Sequence, residues 1–128
     1  MIRSAGAVTP ELGHITDITA TCLDVAGVAY PGQFNGRDVL PLAGKSLLPV
    51  FKNGQRQGHP TLCCATSGCR AIRMGQWKLV AARGGPWELY DLADDRTETH
   101  NLAEGSSDIV KDLTARWQQW AGAASAKP

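Results

Sequence analysis

The sequence predicts an α+β fold: a small antiparallel meander of about four strands packed with a C-terminal amphipathic helix, preceded by one helix and a long irregular connection. Three observations carry this. Residues 61–92 alternate apolar and polar side chains between turn dipeptides. Residues 107–124 repeat apolar side chains at helical spacing. Residues 28–60 are too rich in glycine and proline for long regular elements.

Taken in order, Thr9 to Gly27 contain the first helix. Ile15, Ile18, Cys22 and Val25 recur at spacings of three and four. Thr16 or Asp17 can cap its start, and Gly27 suits the left-handed residue that ends a helix. The uncharged run Thr19-Ala20-Thr21 predicts burial on more than one side.

The connection that follows holds Pro31, Gly32, Asn35-Gly36, Pro41, Gly44, Pro49, Asn53-Gly54 and Gly58. A single helical turn is expected near 46–51. A loop of this length in a small domain is functional or packs on a neighbour.

In the meander, Arg70 to Met74 and Trp77 to Ala82 form two strands around a Gly75-Gln76 turn. Gly84-Gly85 turns the chain again, Trp87 to Leu92 form a third strand, and Thr61 to Thr66 precede them as a fourth. Ile72, Met74, Trp77, Leu79, Trp87 and Leu89 share one face. Arg73, Lys78 and Glu88 share the other with Ala71, Val80 and Tyr90, which makes that face too apolar to be fully solvated. Val80 and Tyr90 are expected to face a partner. Ser107 or Asp108 then caps a helix running to about Ala124, with Ile109, Leu113, Trp117 and Trp120 on one stripe. Its two tryptophans predict a large buried contact with the sheet.

Composition bounds the function. The 128 residues make one ordinary domain, with 43% hydrophobic and 20% charged side chains. A net charge of +1 argues against nucleic acid or an anionic membrane as main partner. No apolar run has the length of a transmembrane helix, and the first residues do not read as a signal peptide. Localisation is therefore either cytoplasmic or set by a signal elsewhere in a longer protein. Cys22, Cys63, Cys64 and Cys69 lack paired zinc spacing and read as buried free thiols.

Catalytic and metal motifs are absent from the sequence. Asp91, Asp94, Asp95 and Glu98 lack the order of a calcium loop, and read as a solvated turn. His14, His59 and His100 lie in three segments without ligand spacing. His14, at a helix start, reads as a capping or packing residue that could reach a substrate in a larger assembly. Gly44-Lys45-Ser46 lacks the earlier glycine of a phosphate loop, because position 40 is Leu40. Arg70, Arg73, Trp77, Lys78 and Arg83 mix basic and aromatic character, but Trp77 and Lys78 alternate faces, so the tryptophan reads as core.

Longer stretches carry a resemblance. Arg70-Ala71-Ile72-Arg73-Met74-Gly75-Gln76-Trp77-Lys78-Leu79-Val80, then Trp87-Glu88-Leu89-Tyr90-Asp91-Leu92, Asp95-Arg96-Thr97-Glu98 and Asn101-Leu102-Ala103 resemble the C-terminal subdomain of arylsulfatases. Upstream, His14 to Ile18, Leu23 to Gly27, Asn35-Gly36-Arg37 and Gly44 to Pro49 are similar as well. The resemblance covers nearly the whole chain. It implies that 1–59 joins a sulfatase catalytic domain and that 60–128 is the C-terminal sheet-and-helix subdomain. It also implies a sulfate-ester hydrolase when complete, with calcium and a formylglycine made within a C-x-P-S-R or S-x-P-x-R motif. Those groups belong to the large N-terminal domain, and none of the four cysteines here is followed by that motif. The chain is thus expected to hold no cofactor, to be inactive alone, and to partner an N-terminal catalytic domain or self-associate through exposed apolar surface.

One matched segment departs from the family. Where many relatives read W-E-H-x-G-N-R, this chain reads Cys64-Ala65-Thr66-Ser67-Gly68-Cys69-Arg70. The resemblance places that segment near the substrate cleft, and the departure removes the charged and aromatic side chains expected there; Thr66 and Arg70 within it, and His14 at the helix start, are the remaining candidates for substrate contact. Two alternatives remain open: a standalone interaction module reusing this fold, and a thiol-dependent metal binder.

Overall fold

A computed structural model of the chain describes residue 6 and residues 8–125. It divides into two units, 1–59 and 60–128.

In the first unit, helix α1 spans Thr16–Ala26 and ends on Gly27 at φ 66°. The N–H groups of Gly27 and Val28 close on the carbonyls of Asp24 and Leu23, the left-handed ending that glycine permits without strain. A short hairpin follows, β1 (Gln33–Phe34) and β2 (Arg37–Asp38). Its turn residues Asn35 and Gly36 have φ 51° and 75°, which asparagine and glycine tolerate best. Helix α2 spans Leu48–Asn53, where a single turn was expected.

Two expectations for α1 fail. The N-cap position is Ile15, which makes no side-chain cap, so neither Thr16 nor Asp17 occupies the capping position. Its apolar stripe also faces outward: Ile15, Ile18 and Val25 are 72%, 53% and 65% exposed, while Asp17 and Ala20 are buried. The helix is inverted because Asp17 finds four hydrogen-bond donors on the inner side, and a carboxylate so satisfied is stable out of water.

In the second unit, strands β3 (Leu62–Thr66), β4 (Cys69–Met74), β5 (Trp77–Ala81) and β6 (Glu88–Asp91) form an antiparallel sheet in that order. Two-residue turns fix the register. Met74 faces Trp77 across Gly75-Gln76, and Thr66 faces Cys69 across Ser67-Gly68. Ser67 and Gly68 have φ 48° and 83°, matching the right-handed twist of the strands. Helix α3 spans Ser107–Ser125. The Val110 N–H bonds the Ser106 carbonyl, so the helix starts one residue ahead of the expected caps.

The core holds Ile72, Leu79 and Leu89 from the sheet and Leu113 from α3, each fully buried. Each such side chain contributes roughly 1.5–3 kcal/mol of burial free energy. Met74, Trp77, Trp87, Ile109, Val110 and Trp117 pack around them, as the face assignment predicts. The expected tryptophan contact is carried by one ring of the two. Trp117 meets Trp87 edge to face at 5.8 Å, whereas Trp120 lies beside Trp117 and stays exposed.

On the opposite face Tyr90 is buried within the chain and is not left open for a partner. Its hydroxyl donates to Glu88 at 2.8 Å. That bond, burial and nearby carboxylates push the phenol pKa up. Lys78 pairs with Glu98, in the stretch after β6, at 2.6 Å.

The thiols also differ from expectation. Cys22, Cys64 and Cys69 are exposed, and Cys63 alone is half-buried. Alternation explains the pair in β3: Cys63 points with Ile72 toward the core, so Cys64 points away. Burial pushes the Cys63 thiol up in pKa.

Candidate functional site

The densest polar arrangement among the described residues is centred on Asp17. Its Oδ2 accepts the His14 N–H at 3.0 Å and an Arg56 guanidinium N–H at 2.7 Å. Its Oδ1 accepts the Lys45 N–H at 2.8 Å and faces His59 Nε2 at 2.7 Å. Three segments therefore converge on one carboxylate: the start of α1, the loop at 44–46 and the stretch 56–59.

Arg56 extends the network by donating to the carbonyls of Leu12, Lys45 and Ser46. Lys45 Nζ reaches the Gly58 carbonyl at 2.8 Å, and Thr21 Oγ1 accepts the Leu47 N–H at 2.9 Å. Gly44 lies so close to α1 that a Cβ there would collide with the Thr16 carbonyl. Burial alone would raise the Asp17 pKa. The Arg56, Lys45, His59 and His14 donors outweigh it and hold the carboxyl well below the usual range.

This arrangement clamps a loop; it does not present a reactive group. Both Asp17 oxygens are saturated, so the carboxylate is neither a free base nor an open ligand. Among the described residues, no three His, Cys, Asp or Glu side chains are grouped to hold a metal ion. The described residues thus offer no grouped calcium ligands, and none of the four cysteines is followed by the C-x-P-S-R motif from which a formylglycine is made.

The three sequence candidates have separate settings. His14 Nδ1 sits 3.0 Å from Thr16 Oγ1, beside the Asp17 cluster. Thr66 is exposed at the β3–β4 turn. Arg70 stacks 4.5 Å over the Trp87 ring, and its Nε has no partner among the described residues. Thr66 pairs with Cys69 and Arg70 with Ala65, so Thr66 and Arg70 point to opposite faces of the sheet and do not converge.

The Asp17–Arg56–His59 cluster was not found from sequence. Its members are spread over more than forty positions, and no motif links them. The one available signal was an acidic residue directly before the uncharged run Ile18 to Leu23.

Comparison with known proteins gives a consistent answer. Residues 2–122 match the family described as N-sulphoglucosamine sulphohydrolase, C-terminal. An uncharacterized sulfatase of Schizosaccharomyces pombe is 36% identical over 117 residues, covering 86% of this chain and 21% of that protein. A choline-sulfatase of Rhizobium meliloti is 34% identical over 125 residues, covering 89% and 23%. Arylsulfatase K of Rattus norvegicus is 31% identical over 119 residues, covering 85% and 21%. Among solved structures, a 2-O GAG sulfatase superposes with a TM-score of 0.65 at 26% identity, covering 86% of this chain and 25% of that one. The chain spans about a fifth of the length of the curated relatives it matches.

Proposed function

The chain belongs to the N-sulphoglucosamine sulphohydrolase C-terminal family of sulfatases, and from that premise we propose that it serves as the C-terminal, non-catalytic part of a sulfate-ester hydrolase. Residues 1–59 join the catalytic domain, and residues 60–128 form the subdomain beside it. Calcium and formylglycine chemistry belongs to that catalytic domain.

The observation that carries this reading is the inverted helix α1. Its polar inner side is locked by the Asp17 cluster, so Ile15, Ile18 and Val25 are held outward as a fixed apolar stripe. An exposed apolar stripe held in place in this way suits a docking face. An N-terminal sulfatase catalytic domain is the partner that the family supplies.

Incubating the purified chain with an aryl sulfate, with and without calcium, tests the non-catalytic assignment. Sulfate release at the buffer background is expected. Turnover above background in either condition overturns the assignment.

A further inference from the structure

The two edges of the sheet are finished differently. In two-residue hairpins the residues flanking the turn form a hydrogen-bonded pair, and bonding then alternates along the ladder. Applied to the Met74–Trp77 and Thr66–Cys69 closures, this points the backbone groups of Leu89 and Asp91 outward on β6, and those of Cys63 and Ala65 outward on β3.

On β6 three of the four outward groups are capped. The Leu89 N–H donates to Asn101 Oδ1 at 3.0 Å, and the Leu89 carbonyl accepts the Leu102 N–H at 2.8 Å. The Asp91 carbonyl accepts the Asp95 N–H at 2.7 Å. On β3, no described residue bonds the outward groups of Cys63 and Ala65. Trp117 Nε1 reaches only the Cys64 carbonyl, at 3.2 Å.

Nor is the β3 edge protected by charge. No Lys, Arg, Asp or Glu lies between Arg56 and Arg70. Edge strands in folded proteins are ordinarily blunted by charge, proline or a bulge, and Leu62–Thr66 has none of these.

We infer that the β3 edge pairs with β3 of a second copy of this chain, antiparallel about a twofold axis at Cys64. In that register Cys63 and Ala65 of each copy exchange backbone hydrogen bonds, which satisfies all four outward groups of each copy's Cys63 and Ala65. Leu62 of one copy faces Thr66 of the other beside Cys64. An uncharged strand meets its own copy without like-charge repulsion. The two Cys64 residues become a non-hydrogen-bonded pair, with Cα atoms about 4.5 Å apart. That separation lies within the span of a disulfide. This inference does not rest on the sulfatase reading.

The test combines light scattering with thiol trapping on the whole chain. The mass should rise with concentration from that of one chain to that of two. With oxidised glutathione, the two Cys64 thiols should join as one disulfide while the oxidant leaves as two molecules of reduced glutathione. Trapping should vanish in Cys64→Ser and persist in Cys22→Ser and Cys69→Ser. Cys64→Lys places two cations at the axis and should give a monomer with unchanged melting. Three results would overturn the proposal: a monomer at every concentration, trapping through Cys22, Cys63 or Cys69 instead, or a Cys64→Lys dimer.

Discussion

Asp17 and Arg56 meet at 2.7 Å with side-chain exposures of 0% and 2%. Removing one partner of a buried pair leaves the other charge uncompensated, which costs about 3–5 kcal/mol. Asp17→Asn and Arg56→Ala should each lose stability on that scale in urea denaturation. A loss under 1 kcal/mol would show that the cluster does not hold the first unit together.

The same carboxylate sets a pH dependence. Its folded pKa is lowered, so its contribution is complete above the unfolded aspartate value of about 3.9 and shrinks as pH falls below it. The melting temperature should therefore drop steeply below about pH 4. In Asp17→Asn that part of the drop should disappear. An acid limb identical in both proteins contradicts this.

Gly44 and Gly122 should respond oppositely to alanine. At Gly44 the new methyl meets the Thr16 carbonyl, and relief requires backbone movement at about 1–3 kcal/mol. At Gly122, within α3, nothing lies within 4 Å. Alanine there should gain roughly 0.5–1 kcal/mol from lower backbone entropy in the unfolded chain. Thermal melts of the two variants decide it.

Asn101 Oδ1 accepts the N–H groups of Leu89 and Ala103, both at 3.0 Å. Asn101→Ala should cost about 1–3 kcal/mol by leaving these donors short of a partner. Hydrogen exchange at the Leu89 amide should accelerate, and an unchanged rate would show that the cap does not protect the edge.

Ile18→Lys and Leu113→Ala separate surface from core. Ile18 is 53% exposed, so its replacement should change stability by no more than about 0.5 kcal/mol in this chain. Leu113 is fully buried, and truncating it should cost about 2–5 kcal/mol. Equal losses in a denaturant titration would mean that α1 buries its apolar stripe after all.

The second unit was the more legible in sequence. Gly75-Gln76 predicted a two-residue turn, and from that turn the alternation assigned Ile72, Leu79 and Leu89 to the helix-facing side. Gly27 marked the end of α1. Asn35-Gly36 turns a short hairpin, although the density of glycine and proline around it reads only as a break in regular structure. The cysteines misled, because buried thiols are the ordinary case and the β3 register alone decides which of two neighbours is inward.

The sequence by itself determined where strands turn, which alternate residues share a face, and which family the chain resembles. These are local consequences of turn chemistry and a two-residue period, needing no distant partner. Tertiary structure decided which side of α1 is inside, because Asp17 is buried only when Lys45, Arg56 and His59 arrive from far along the chain. It also decided which sheet edge is closed, because Asn101 and Leu102 return to Leu89 on β6 and no described residue does the same for Cys63 and Ala65 on β3. Hydrophobic spacing states which residues share a stripe. It cannot state whether that stripe faces in or out when the opposite side can satisfy a buried charge.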